Sequence, residues 1–179
     1  YVFDGNSNVA LTEEAPTGPI NVYGQTKLAG EQACLRENPN AIVVRTSWVY
    51  SRFGANFVKT MRRLGAERPN LGVVVDQVGT PTWAADLARA IDAALNLPQM
   101  PTGILHYSNQ GVCSWYDFAK EIFRVNNVSI NLQPIPTTAY PTPAKRPAYS
   151  VLDKTKLKQV FGIEVKSWEE SLKNVKHVK

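Results

Sequence analysis

Only two cysteines occur, Cys34 and Cys113, far apart and without C-x-x-C spacing, too few for a disulfide framework or a thiolate zinc site. Histidine is as scarce. His106 falls on a predicted strand and His177 in a lysine-rich tail, and neither has a second histidine or a carboxylate at ligand spacing, so both are read as structural or solvated. No apolar run approaches the ~20 residues of a bilayer-spanning helix, and no charged-then-apolar leader precedes the first strand. These absences point to a soluble protein of a reducing, cytoplasmic compartment with no membrane partner. Repeats and low-complexity segments are missing, and no initiator Met precedes YVFDG (1–5). A strand buried in a sheet needs neighbours on both sides, so the chain is expected to be the C-terminal part of something longer, cut inside a sheet.

What is present suffices for a packed core. The chain has 179 residues, 44% of them hydrophobic, which fits one domain or one domain carrying part of another. A net charge of +5 raises the question of a polyanionic partner. Lys and Arg are spread along the chain, however, and the densest stretch, 154–179, alternates lysines with Leu, Val and Trp as solvated helix faces do. No nucleic-acid partner is expected.

Tyr1 to Phe3 reads as the end of a strand and 4–6 as a turn. A helix is predicted from about Ile20 to Glu37, stopped by Pro39, with small residues at Gly24, Ala29, Gly30 and Ala33. AIVVRTSWVY (41–50) begins as a doubly covered strand. A helix follows over 56–67, a buried strand over 71–76, a loop at 79–82, a helix over 86–97 and a strand over 103–108. Ser114 is placed to cap a helix over 115–125. The stretch holding Pro134, Pro136, Pro141, Pro143 and Pro147 is too rigid and donor-poor for a helix or a central strand. Two short helices close the chain, near 153–160 and 167–175. Strands that alternate with helices indicate an α/β fold with a parallel sheet.

Within this frame one motif carries chemistry. Tyr23 and Lys27 stand four apart on the first predicted helix, so both lie on one face. A phenol is a poor acid–base group at neutrality, and a nearby cation inside a partly dry cleft favours its ionised form. Such a phenol could protonate a carbonyl oxygen as hydride reaches the carbon. On spacing alone, two surface residues one turn apart would look the same.

Context comes from longer stretches. YVFDG, followed after a polar loop by YGQTKLAGE, resembles the extended short-chain dehydrogenase/reductases. RTSWVYSRFGANFVKTM, DQVGTPTWAADLA, SWYDFA and RPAYSVLD resemble more specifically the dTDP-4-dehydrorhamnose reductase family, from Tyr1 to about Trp168. The resemblance implies the C-terminal part of a Rossmann-like parallel sheet plus a smaller α/β substrate-binding domain. Residues 1–50 would be the remainder of the Rossmann-like domain. Residues 51–179 would be mainly a sugar-nucleotide region, with a return segment near 71–97 to the core sheet.

It also implies NADPH- or NADH-dependent reduction of the 4-keto group of dTDP-4-dehydro-L-rhamnose to dTDP-L-rhamnose. Tyr23 would give the proton, and Lys27 would hold the nicotinamide ribose and ease the proton off the phenol. The family's third member, a Ser or Thr, would precede YVFDG. No G-x-G-x-x-G follows a strand to cradle the cofactor pyrophosphate, so the chain alone is expected to be inactive.

Tyr1 and Trp48, near strand ends, resemble the family's sugar-contacting aromatics, with core packing as the alternative. Asn56 either offers a diphosphate its amide and a helix N-terminus or is a plain N-cap. Thr80 and Thr82, flanking Pro81, would give hydroxyls to the sugar or form an ordinary turn. Arg146, assisted by Lys145, would pair a phosphate through its planar fork, unless the segment is a solvated linker. Tyr149 stands where the family shows Asn and receives no ligand role. Some relatives bind magnesium at a dimer contact through C-terminal acids. Glu169 and Glu170, adjacent on a helix, point apart, so magnesium is not expected, while a homodimer stays open. The rival readings are a non-catalytic regulatory subunit resembling the β subunit of methionine adenosyltransferase, and another nucleotide-sugar epimerase or dehydratase.

Overall fold

A computed structural model of the chain describes residues 1–162 and 164–177, with side chains up to 175. Helix α1 (Val22–Glu37) begins at Asn21, whose side chain accepts from Gly24 N–H, and ends at Asn38 ahead of Pro39. The predicted strand 41–50 is broken in two, as β1 (Ile42–Arg45) and β2 (Val49–Tyr50). The break falls at Trp48, whose φ of 47° interrupts the pleat and turns the chain away. Helix α2 (Phe57–Glu67) is followed by β3 (Asn70–Val74), β4 (Val78–Gly79), β5 (Thr82–Trp83) and α3 (Ala84–Leu95). Then come β6 (Gly103–His106), β7 (Cys113–Ser114), α4 (Trp115–Val125), β8 (Asn131–Ile135), α5 (Thr155–Phe161) and α6 (Trp168–Lys173).

Among the described residues, three of the four strand pairs are parallel: β1 with β6, β2 with β5, and β3 with β8; the short β4–β7 pair is antiparallel. The α/β class is thereby established. Strand β3 ladders with β8, from Asn70 opposite Asn131 to Val74 opposite Ile135, and not with β1 or β6. Within 71–97, α3 packs its Ala90 with Tyr107, Val44, Leu157 and Val165. Strand β8 forms despite Pro134 because β3 is its one neighbour among the described residues, and an edge strand needs no donors on its open side. Tyr1–Phe3 forms no strand. Val2 and Phe3 are instead buried against Leu152 and Leu11, and Val2 O accepts from Gly18 N–H at 2.9 Å.

The largest core gathers around α4. Ser114 and Asp117 form a reciprocal capping box, and Phe118, Ala119, Ile122 and Phe123 pack against Val58 and Met61 of α2, Val73 of β3, and Trp168 and Leu172 of α6. No helix among the described residues is long and apolar enough to cross a membrane.

Lys154 is an exception to the apolar interior. It is buried, with Nζ donating to Leu152 O at 2.9 Å and Ser108 Oγ at 3.2 Å. Burial, reinforced by the charge of Lys158 and opposed by Asp153, pushes its amine down to about 8. The folded state then binds this proton more weakly than the unfolded chain. The cost is complete below pH 8 and is relieved as pH rises toward the ordinary lysine value. Against the wild type, Lys154→Met should therefore lose ~3 kcal/mol of relative stability between pH 7 and pH 10.5. Urea melts of both proteins at each pH read this difference, in which the buried phenols and Cys113 cancel. A difference that is flat with pH would show that the amine is not desolvated.

Candidate active site

Helix α1 carries Tyr23, Lys27 and Glu31 one turn apart along one face. Lys27 Nζ lies over the Tyr23 ring, 5.4 Å from its centroid. Tyr1 meets that ring edge-on, with centroids 5.3 Å apart and planes at 83°. Gly24 makes this approach possible, since a Cβ there would overlap Tyr1 O. The expected dry setting is not supplied by these residues, for Tyr23 remains 56% exposed.

Below the pair, Glu31 is bound by Arg45 of β1, whose Nη2 donates to Glu31 Oε2 at 2.8 Å and whose Nε donates to both oxygens at 3.0 and 3.1 Å. Arg45 Nη1 is 3.4 Å from Nε2 of fully buried His106, and His106 Nδ1 is 3.0 Å from Leu11 O. A carbonyl only accepts, so Nδ1 carries the hydrogen and Nε2 accepts from Arg45. Burial pushes this imidazole down from its ordinary value, with the Glu13 charge opposing. His106 is thus a structural residue of the helix–strand joint. His177 has its side chain outside the described residues. Among the described residues no three His, Cys, Asp or Glu side chains group as metal ligands do.

A cleft of about 230 Å³ opens beside Tyr23, walled by Tyr1, Trp48, Gln77, Trp115, Arg146 and Tyr149. A second hollow of about 310 Å³ shares Tyr1 and Tyr23 and contains Lys27, Glu31 and Arg45. The Trp48 indole is stacked on Trp115, with centroids 3.6 Å apart and planes at 10°, and Trp115 leans on Phe57 at 4.6 Å. Gly79 admits the indole, since a Cβ there would stand 2.6 Å from Trp48 Cε2. The alternatives offered for Trp48 therefore merge: it packs and it lines the cleft.

Arg146 reaches the same cleft and makes no hydrogen bond or ion pair among the described residues. Its segment is fastened on both sides. Asn21 Nδ2 donates to Lys145 O at 2.8 Å while Oδ1 caps α1, so one carboxamide joins the Tyr23 helix to the Arg146 strap. Buried Pro147 sits against Gly5, and Tyr149 N–H donates to Gly5 O at 3.2 Å. Burial pushes the Tyr149 phenol above its ordinary value.

Three expected substrate contacts are not brought here. Thr80 and Thr82 are fully buried; Thr80 Oγ1 donates to Gly111 O at 2.7 Å, and Thr82 Oγ1 faces Thr46 Oγ1 at 3.4 Å. Their hydroxyls brace the loop and do not reach the cleft. Asn56 caps α2 through Oδ1 and spends Nδ2 on Ser51 O at 2.8 Å, so the plain N-cap reading accounts for it. Asn21, Gln77 and Trp115 were not identified from sequence. For Trp115, the SWYDFA stretch was the available signal.

Parallel strands, a helix bearing Tyr-x-x-x-Lys and an aromatic cleft at its N-terminal end fit the expectation of an extended short-chain dehydrogenase/reductase. The chain belongs to the RmlD substrate binding domain family, which matches residues 1–178. It is 45% identical to a dTDP-4-dehydrorhamnose reductase of Sinorhizobium fredii over 98% of the chain and 62% of that protein. It is 43% identical to the Escherichia coli protein of the same name, again over 98% and 62%. A Bacillus anthracis dTDP-4-dehydrorhamnose reductase solved in complex with NADP superposes with a TM-score of 0.90 at 41% identity, over 97% of this chain and 61% of that one. A UDP-galactose 4-epimerase at 22% identity and a TM-score of 0.77 shares the fold, over 96% of this chain and 57% of that one. The chain thus spans under two thirds of the length of these relatives.

Proposed function

We propose that the protein carrying this chain is an NADPH-dependent reductase that converts dTDP-4-dehydro-L-rhamnose to dTDP-L-rhamnose in the cytoplasm. The observation that carries the reading is Lys27 lying over the ring of Tyr23, which lines a cleft whose wall holds Arg146, unpaired among the described residues. Relatives named as reductases of this sugar support it, and a relative solved with NADP supports the cofactor.

The residues fit one end of that cofactor. Tyr23 and Lys27 share the hollow with Glu31, where a ribose could be held by Lys27, while no glycine-rich turn for a pyrophosphate occurs in residues 1–179. When bound, the cofactor supplies the hydride that reaches C4. Tyr23 then gives its hydroxyl proton to the C4 oxygen, completing the alcohol, and the Lys27 ammonium stabilises the phenolate left behind. Arg146 pairs the diphosphate through its fork, and Trp48, held by Trp115, bounds the sugar. Residues 1–50 act as the remainder of the cofactor domain, and most of 51–179 as the sugar-nucleotide region.

Trp48 and Trp115 are built-in reporters. Titrating the chain with dTDP-L-rhamnose should quench their fluorescence saturably, and Arg146→Leu should weaken binding about 10- to 100-fold, the usual scale of a charge-assisted pair. Absence of saturable binding would sink the proposal.

A further inference from the structure

Gln77 lines the cleft beside Trp48 and Tyr149, and the residue is only 7% exposed. Its Nε2 lies 3.1 Å from Thr137 Oγ1. Thr137, in the 3-10 turn Thr137–Ala139, fixes which end of the carboxamide this is. Its hydroxyl donates to Asp76 Oδ1 at 2.6 Å, and its backbone N–H donates to the same carboxylate at 2.9 and 3.0 Å. A hydroxyl has one hydrogen. With that hydrogen spent on Asp76, Thr137 Oγ1 can only accept, and the group facing it has to be the NH2 of Gln77.

The amide oxygen then has no partner among the described residues. Nor is it sealed in, since the buried, unpartnered side-chain atoms among those residues are Tyr50 Oη and Trp168 Nε1. The residue that bears it lines the cleft. The other walls are rich in donors: the Arg146 guanidinium, the phenols of Tyr1, Tyr23 and Tyr149, and the Trp48 indole. A fixed oxygen that only accepts is the complement needed by a sugar hydroxyl, which has a hydrogen to give.

We propose that Gln77 is a specificity-determining residue whose amide oxygen accepts a hydrogen bond from a sugar hydroxyl of the bound nucleotide sugar, held in that orientation by Thr137 and Asp76. The inference rests on the nucleotide-sugar reading above and adds to it the part of the ligand that is read.

The test compares dTDP-L-rhamnose with dTDP, which lacks the sugar, by calorimetric titration of the chain. Gln77→Leu should weaken dTDP-L-rhamnose about tenfold while changing dTDP less than about twofold, as loss of one buried hydrogen bond predicts. Thr137→Val alters no atom of the cleft wall but lets the amide turn, and should weaken the sugar nucleotide about threefold with dTDP unchanged. Unchanged dTDP-L-rhamnose affinity in Gln77→Leu, or equal losses for both ligands, would overturn the proposal. Should Gln77→Leu fail to fold, unchanged affinity in Thr137→Val would overturn it. Failure of the unsubstituted chain to bind either ligand would instead bring down the nucleotide-sugar reading itself.

Discussion

Tyr23→Phe should lower turnover by ~10²–10⁴-fold, the usual contribution of a positioned proton donor, while leaving KM for the sugar nucleotide within about threefold. The assay joins the chain to the cofactor-binding half of the Sinorhizobium fredii relative and follows NADPH oxidation with dTDP-4-dehydro-L-rhamnose. Phe keeps the ring that Tyr1 meets edge-on and that Lys27 covers, so packing stays and only the hydroxyl is lost. Lys27→Met should also lower turnover, and the two losses together should fall short of their product, because each residue acts through the other. Wild-type turnover in Tyr23→Phe would remove the proton-donor role. The half-open position of Tyr23 bears on the same experiment. With 56% of its surface exposed, the ring lacks the desolvation that strengthens its pairing with an ammonium. Substrate and the cofactor-binding half have to supply that cover, and for this reason the isolated chain should show no turnover.

Local signals carried much of the fold. The apolar spacing of α2, α3 and α4, the caps Ser114 and Asn56, and the β-branched run 42–44 all act over a turn or two of chain, and each appears close to where spacing placed it. The pairing of Tyr23 with Lys27 was legible for the same reason, since four residues on a helix fix a shared face. What could not be read depends on partners distant in sequence. The break at Trp48 arises because the indole stacks on Trp115 and fits over Gly79, neither of which leaves a mark in 41–50. Asn21 caps α1, and its second bond reaches a carbonyl 124 residues away. Pro134 argued only against a central strand, and β8 lies at an edge, where it needs no amide on its open side. Thr80 and Thr82 looked available because turns are usually solvated, but Gly111 and Thr46 close over them. Residue type and order located the chemistry; the acceptors and stacking partners that orient it came only with tertiary structure.

Breaking the Arg45–Glu31 pair should be the most damaging change to stability. Both side chains are nearly enclosed, at 7% and 12% exposure, so removing one partner strands the other's charge where water cannot reach it well. Glu31→Leu should cost ~3–5 kcal/mol, a large part of the ~5–15 kcal/mol that holds a typical domain together. Arg45→Met should cost a similar amount, since it also removes the donor from His106 Nε2 and the cation over the Phe3 ring. The double variant Glu31→Leu/Arg45→Met leaves no unpaired charge and should recover most of the loss, ending within ~2 kcal/mol of the wild type. Urea denaturation of all four proteins closes this cycle. Single losses below ~1 kcal/mol, or a double variant as unstable as the sum of the singles, would mean that the pair is solvated rather than structural. The site is sensitive to the same bond because Glu31 stands one turn beyond Lys27, so the pair fixes how far α1 slides along β1. Where the double variant regains stability but not turnover, the ion pair's contribution is to place Tyr23 and Lys27 at the cleft, which a hydrophobic contact of similar strength does not do.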